Sequence, residues 1–239
     1  MKSLITALQF LTRIPLPFNS GNHPQQAGYS LLWYPLIGTF IGAMLFGIAL
    51  LMQHQPAQLT SIIILITWVL ITGGLHLDGL ADSADAWAGG YGNKEKTLAI
   101  MKDSHVGSLA VVVLVLVLLV KFVALGELLK SSELYYLIFA PMLGRCTVLV
   151  LFLTTPYVRE RGLGSDMAKY LPRHLALIVL MLFVIPALLL KPIAVLMAIA
   201  MLAGLRYLMM QRIAGMTGDT IGASIEIIEA VVLLGLIFI

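Results

Sequence analysis

Residues 57–85 read AQLTSIIILITWVLITGGLHLDGLADSAD, and this stretch decides the fold class. Its first part, residues 57–75, carries no charged side chain, and about twenty mostly apolar residues are what a helix needs to cross a bilayer. The second part, residues 76–85, brings three aspartates directly after the apolar run. The stretch therefore predicts a membrane span that ends in an acidic site at one membrane face.

The composition extends this interpretation to the whole chain. Of its 239 residues, 60% are hydrophobic and 11% are charged, with a mean hydropathy of +0.98, whereas soluble domains have about 25% charged residues. We expect an all-α polytopic membrane helical bundle with about six to seven transmembrane helices, in a single integral membrane domain over residues 1–239. The candidate spans are residues 31–52, 57–75, 106–126, 134–153, 174–190, 193–207 (extending toward 212) and 221–239. The fifth and sixth are short and could instead form a hairpin that does not cross twice.

Basic residues predict the orientation, because lysine and arginine are retained on the cytoplasmic side. With the N-terminus inside, the outer connections hold only Lys130 and Lys191. The inner segments hold Lys2, Arg13, Lys94, Lys96, Lys102, Arg159, Arg161, Lys169, Arg173, Arg206 and Arg212. Residues 76–105 are therefore expected to form a cytoplasmic active-site loop. Residues 1–18, with leucines at helical spacing, are expected to form an interfacial amphipathic segment.

The three aspartates of the opening stretch predict a metal site. Asp78, Asp82 and Asp85 are spaced i, i+4 and i+7, so they share one face if the helix continues past Leu75. Like charges at this spacing repel one another. A divalent cation would offset the repulsion, and Mg²⁺ is commonly held by one or two carboxylates together with substrate phosphates. The alternative is a solvated helix extension with an acidic face.

A second polar segment, MKDSHVGS at residues 101–108, lies just before the third span. Asp103 adds a fourth acid to the same connection. Its neighbours Lys102, Ser104 and His105 could contact phosphate, although His105 suits an exposed surface position equally well. We therefore include these four residues in the candidate site.

Charged residues also lie within two later spans. In GMTGDTIGASIEIIE, residues 215–229, Asp219, Glu226 and Glu229 share one helical face. Arg145 lies inside the fourth span, where a guanidinium needs an acid or a phosphate as its partner. These residues are candidates for substrate binding, and the alternatives are a structural ion pair for Arg145 and snorkelling for the glutamates.

Acids, glycines and a few basic residues at one membrane face suit the transfer of a phosphate-linked group. In such reactions a metal bridges phosphate oxygens, and basic residues neutralise the leaving group. The chain has no Walker loop, dinucleotide fingerprint, Cys/His zinc pattern or Ser/His/Asp spacing. Its net charge of +3 is scattered, so nucleic acid is not an expected partner. The residues by themselves lead only to this reaction class.

Five blocks resemble the cobalamin synthase family: TGGLHLDGLADSADAWAGG (72–90), MKDSHVGS (101–108), GRCTVL (144–149), RERGLG (159–164) and TGDTIGASIEIIE (217–229). The early LQFLTRIPLP (8–17) and YPLIG (34–38) are similar too, so the resemblance covers essentially the whole chain. It implies a Mg²⁺-dependent enzyme of the bacterial inner membrane. Such an enzyme joins adenosylcobinamide-GDP to α-ribazole, or to its 5′-phosphate, and releases GMP. The chain departs from the family pattern at His105, where arginine is frequent, and at Ala86 and Ala110, where glycine is frequent.

The resemblance implies a role for each matching polar residue. The metal and the phosphates would be held by four aspartates: Asp78, Asp82, Asp85 and Asp103. Asp82, central on its face, is the candidate acceptor of the proton from the ribazole 5′-hydroxyl. Lys102 and Arg145 would neutralise the diphosphate and the departing GMP, and Asp219 with Glu226 would complete the polar cavity. A homo-oligomer is an open alternative to a monomer.

Two rival functions share some of these features. A CDP-alcohol phosphotransferase places an Asp-Gly pair before an Ala-Arg pair, whereas here Asp78-Gly79 is followed by Leu80-Ala81-Asp82, without the arginine. A transporter or channel also uses buried acids, but would distribute them through the membrane depth. In this chain most acids gather at one predicted face.

Overall fold

The computed structural model describes residues 2–15, 23–103, 105–131 and 133–238. Within these ranges the chain forms α-helices and no named strand, which confirms the all-α prediction. The helices are α1 (Lys2–Leu11), α2 (Pro24–Ser30), α3 (Tyr34–Leu51), α4 (Ala57–Thr72), α5 (Leu75–Gly89), α6 (Lys94–Ile100), α7 (Ser108–Leu128), α8 (Phe139–Thr154), α9 (Leu163–Tyr170), α10 (Arg173–Leu190), α11 (Pro192–Ile213) and α12 (Gly218–Ile237). Short 3₁₀ turns at Leu31–Trp33 and Leu134–Ile138 lead into α3 and α8.

Six helical segments of the described chain are long and apolar enough to cross a membrane: Pro24–Leu51, Ser108–Leu128, Leu134–Thr154, Arg173–Leu190, Pro192–Ile213 and Gly218–Ile237. The bent pair α4 and α5 provides a seventh candidate. The predicted six to seven spans are therefore confirmed. The α10 and α11 helices have 18 and 22 residues, or about 27 and 33 Å at 1.5 Å per residue, so each is long enough to cross alone.

The α12 helix forms the centre of the bundle. It is buried along most of its length and packs against α5, α7, α8 and α11. The α10 and α11 helices expose mainly apolar side chains, among them Leu182 and Leu196. Apolar surface of this extent would be unfavourable in water and is suited to lipid, so the exposed apolar helix faces fit a multi-pass membrane protein.

The second predicted span does not continue straight into the acidic segment. The chain breaks at Gly73 and Gly74, whose φ angles are +66° and +68°, in the left-handed region that favours glycine. The α5 helix consequently starts at 88° to α4 and lies across the ends of α7 and α12. Residues 76–105, expected to be a loop, instead contain α5 and α6. The three aspartates still share a helix, but its direction is different from the predicted one.

The N-terminal helix is attached to the bundle. The α1 helix buries Ala7 and Leu11 and packs against α2 and α3. The backbone N–H of Arg13 donates a hydrogen bond to the carbonyl of Ile71, at 2.7 Å. This contact joins the end of α1 to the end of α4. Residues 1 and 16–18 of the predicted interfacial segment lie outside the described ranges, and its position at the membrane surface stays a prediction.

Candidate active site

The site is built where α5 meets the first turn of α12. A Cβ atom at Gly79 would lie 2.7 Å from the carbonyl oxygen of Asp219, so the close approach of these two helices requires glycine at this position. A Cβ atom at Gly222 would lie 3.3 Å from Cα of His76, which shows that the helices remain close one turn further on. This packing brings the carboxylates of α5 next to the one that begins α12.

A capping arrangement fixes the start of α12. The side chain of Thr217 accepts a hydrogen bond from the N–H of Thr220 at 3.3 Å, and the side chain of Thr220 accepts one from the N–H of Thr217 at 2.9 Å. Such a reciprocal pair satisfies backbone donors that the first turn leaves without partners. Asp219 lies in this first turn, where the helix dipole favours a negative charge.

Arg159 approaches Asp219 from the segment between α8 and α9. Its Nη2 atom donates to Oδ2 of Asp219 at 2.5 Å. Two backbone hydrogen bonds hold this segment against the residues before α12: Val158 donates to Met216 at 2.9 Å, and Met216 donates to Pro156 at 2.8 Å. This backbone pairing therefore holds Arg159 near Asp219, in addition to the ion pair between the two side chains.

The carboxyl group of Asp82 lies in a crowded negative field on α5, outside the straight spans. Partial burial and the nearby charges of Asp78, Asp219 and Asp85 together raise its pKa from 3.8 to about 6, while the charge of Arg159 opposes them. A carboxylate whose pKa lies near neutral pH suits proton transfer. The excess of negative charge also suits a cation, with carboxylate oxygens as its ligands.

Asp85 has a structural role that the sequence did not indicate. Its two carboxylate oxygens accept hydrogen bonds from the backbone N–H groups of Gly107, at 2.6 Å, and Ala110, at 3.0 Å. These groups belong to the start of α7, where a helix has unpaired donors and a favourable dipole for an acid. Asp85 therefore joins α5 to α7, and its predicted metal contact stays a prediction.

Three described polar residues between α6 and α7 are exposed at the surface: Lys102, Asp103 and His105. Asp103 and His105 form an exposed pair, with Oδ1 and Nδ1 2.5 Å apart. The hydrogen bond between them lowers the pKa of Asp103 and raises the pKa of His105. Lys102 is exposed beside them, and Ser104 lies outside the described residues. No described contact links this group to the carboxylates of α5 and α12, so its predicted substrate role stays a prediction.

The four predicted metal aspartates are not gathered into one cluster. In the described part of the chain, no three His, Cys, Asp or Glu side chains converge closely enough to hold a metal ion. A Mg²⁺ ion at this site would therefore need oxygen ligands from a substrate in addition to one or two carboxylates. That arrangement is common for Mg²⁺ in phosphate-handling sites.

Arg145 and Glu226 belong to a buried ion cluster in the bundle interior. Nζ of Lys121, on α7, donates to Oε2 of Glu226 at 2.5 Å and to Oε2 of Glu229 at 2.6 Å. Arg145, on α8, donates to the other oxygen of Glu229. A Cβ atom at Gly144 would lie 2.8 Å from Cγ of Glu229, so glycine makes room for this carboxylate.

The ion cluster places Arg145 away from the surface. Its side chain has no exposed area and is paired with an acid, which was the structural alternative to a substrate contact. The guanidinium could reach a substrate phosphate only if the helices around it separated. Lys121 was not predicted to pair with these glutamates. Its position inside an apolar span was the signal, because a lysine there needs an acidic partner.

A cavity of about 290 Å³ lies beside Asp78 and Asp219. Its lining includes two arginines, Arg159 and Arg161, and four aromatic residues, Phe10, Tyr34, Phe152 and Tyr157. From the sequence, the two arginines only supported the membrane orientation and formed part of a block that resembles the family. Their place in the site was therefore not predicted. The RERGLG block was the signal that could have indicated them. Together, the acids and arginines form a site that can bind a phosphate group and transfer a proton.

Comparisons with known proteins identify what the chain is similar to. The family model for cobalamin-5-phosphate synthase matches residues 3–237. The adenosylcobinamide-GDP ribazoletransferase of Pseudomonas putida (strain GB-1) is 49% identical over 236 residues, which cover 99% of this chain and 98% of the relative. That of Stutzerimonas stutzeri (strain A1501) is 50% identical over 241 residues, covering 99% and 98%. No solved structure matches the chain significantly.

Proposed function

The chain belongs to the cobalamin-5-phosphate synthase family, and we propose that it catalyses the transfer for which its relatives are named. It joins adenosylcobinamide-GDP to α-ribazole, or to α-ribazole 5′-phosphate, and releases GMP. The family match over nearly the full chain carries this proposal, and it favours neither a CDP-alcohol phosphotransferase nor a transporter. The acids and arginines at the junction of α5 and α12 supply chemistry that fits it.

The reaction forms one phosphate ester bond and breaks one diphosphate bond. A ribose hydroxyl oxygen attacks the phosphorus nearer the corrinoid, its proton passes to a base, and GMP leaves with the bridging oxygen. The 5′-oxygen of α-ribazole 5′-phosphate is already esterified, so it cannot be the attacking group for both acceptors. The predicted proton transfer from the 5′-hydroxyl is therefore replaced by transfer from a secondary ribose hydroxyl.

We assign the proton acceptor to Asp82, which lies on α5 between Asp78 and Asp85 and whose raised pKa suits that role. Arg159 and Arg161 line the adjoining cavity and would neutralise the diphosphate and the departing GMP. Asp78, one helical turn before Asp82, would bind Mg²⁺, since it belongs to a group of carboxylates whose negative charges a cation would offset. When bound, Mg²⁺ supplies charge stabilisation to the phosphate oxygens.

An assay with membranes that contain the chain tests this function. Incubation with adenosylcobinamide-GDP, α-ribazole and Mg²⁺ is expected to yield cobalamin and GMP in equal amounts, measured by chromatography and mass spectrometry. Excess EDTA is expected to lower the rate about 10²-fold or more, because a bound metal contributes several kcal/mol of charge stabilisation. Added Mg²⁺ should restore it. Absence of product would refute the function, and full activity in EDTA would refute only the metal.

We infer that the chain lies in the bacterial inner membrane with its site facing the cytoplasm. The distribution of lysine and arginine supports this orientation. A cysteine introduced at Lys94 should then react with an impermeant maleimide only in inverted vesicles, and one at Gln55 only in right-side-out cells. The native Cys146 is buried, so it provides little background. Reaction of both positions from the same side would contradict the orientation.

A further inference from the structure

His76 is a buried polar residue without a partner. Its side chain is on α5, the residue is 3% exposed, and neither Nδ1 nor Nε2 has a hydrogen-bond partner among the described residues. Neutral imidazole has one donor and one acceptor, and polar groups in a protein interior are normally paired. His76 also lines the 290 Å³ cavity. A ligand that enters the cavity could supply the missing partner once the ring turns toward it, because both nitrogens have almost no accessible surface without one.

Aromatic side chains form part of the cavity wall. The rings of Phe152 and Tyr157 are nearly parallel, 16° apart with centroids separated by 6.1 Å, and Phe10 and Tyr34 form a second such pair. Ligand pockets usually have volumes of roughly 300–1,000 Å³. A cavity at the lower end of that range can hold part of a nucleoside but not a corrinoid.

We propose that this cavity binds the benzimidazole base of the acceptor α-ribazole and that His76 donates a hydrogen bond to the free ring nitrogen of the base. The assignment rests on the proposed function. Benzimidazole offers one hydrogen-bond acceptor on an otherwise apolar bicyclic ring, which matches the imidazole of His76 together with the aromatic and aliphatic part of a lining that also contains two aspartates and two arginines.

The positions along α5 agree with this placement. His76 and Asp82 are six residues apart on the same helix, which corresponds to about 9 Å of axial rise. That distance is comparable to the length of a nucleoside. With the base at His76, the ribose would lie toward Asp78, which lines the same cavity, and Asp82 follows one helical turn later on α5.

The test replaces His76 with phenylalanine, which keeps a planar ring and removes both nitrogens. The KM for α-ribazole is expected to rise about tenfold, as for loss of one buried hydrogen bond, while the KM for adenosylcobinamide-GDP stays nearly constant. Ser83→Ala is the matched control, because Ser83 is another buried, unpartnered polar residue of α5 but does not line this cavity. Its two KM values should match those of the original protein.

A substrate analogue makes the test independent of the variant's folding. The indole counterpart of α-ribazole has a C–H group in place of the free ring nitrogen. The original protein should bind it about tenfold more weakly than α-ribazole, and His76→Phe should bind both equally. His76→Gln, which keeps a side-chain N–H, should recover part of the difference.

Three results would overturn the proposal. They are equal binding of the two nucleosides by the original protein, an unchanged KM for α-ribazole in His76→Phe, and a rise confined to adenosylcobinamide-GDP, which would place guanosine in the cavity. An original protein that makes cobalamin but shows any of these results refutes the base site alone. An original protein that makes no cobalamin refutes the proposed function instead.

Discussion

Replacement of Asp82 with asparagine is expected to lower the rate of GMP release from adenosylcobinamide-GDP by about 10²- to 10⁴-fold, the range that a positioned general base contributes. The amide has nearly the same shape as the carboxylate, so the packing of α5 against α12 is retained. It cannot accept a proton from the attacking hydroxyl, and it removes one negative charge from the site. The rate is measured as GMP formed in a single turnover with both substrates saturating.

A matched variant separates the chemistry from a general loss of charge. Glu95→Gln removes an exposed carboxylate from α6, which follows α5 in the chain but lies outside the carboxylate group around Asp82. It should release GMP at the original rate. Near-normal turnover by Asp82→Asn would show that another group accepts the proton, and the assignment made from its raised pKa would then be wrong.

Replacement of Lys121 with methionine is expected to destabilise the folded protein by about 3–5 kcal/mol, the cost of leaving a buried charge without its partner. Lys121 is hydrogen-bonded to both Glu226 and Glu229, and all three are buried. Without it, two carboxylates share only Arg145. The loss is a large fraction of the roughly 5–15 kcal/mol that stabilises a folded protein. Unfolding is followed by heating or denaturant in a single detergent.

Two controls identify the origin of that loss. Adding Glu226→Gln to Lys121→Met restores equal numbers of positive and negative charges, so the double variant should recover most of the stability. Lys130→Met removes an exposed pair with Glu127, and exposed pairs contribute about 1 kcal/mol or less. If Lys121→Met were as stable as the original protein, or if Glu226→Gln lowered stability further in its presence, the paired cluster would not exist in the membrane.

The ion cluster also affects the site. Glu226 and Glu229 lie about two and three turns beyond Asp219 on α12. Lys121 connects them to α7 and Arg145 connects them to α8, so the cluster fixes the rotation of α12 about its axis. Since Asp219 belongs to the same helix, that rotation sets the direction in which it meets Arg159 and α5. The interior charges therefore help to orient the first turn of α12, which carries Asp219.

Several features of the protein follow from short stretches of sequence. The spans could be predicted because a membrane excludes unpaired backbone groups, so a long apolar run can only be a helix there. The acids that form the candidate site could be located along the chain because they collect beside these runs. The break at Gly73 and Gly74 could be suspected from glycine alone, but the sequence could not show that α5 turns through 88°.

The tertiary structure alone decided which distant residues meet. Lys121 pairs with Glu226 across 105 positions of the chain, and Arg159 meets Asp219 across 60. The cavity near His76 likewise has walls from several helices. Hydropathy and backbone preferences are properties of neighbouring residues, so they appear in the sequence. Contacts between helices depend on how each helix is rotated and packed against the others, and only the folded bundle sets that rotation.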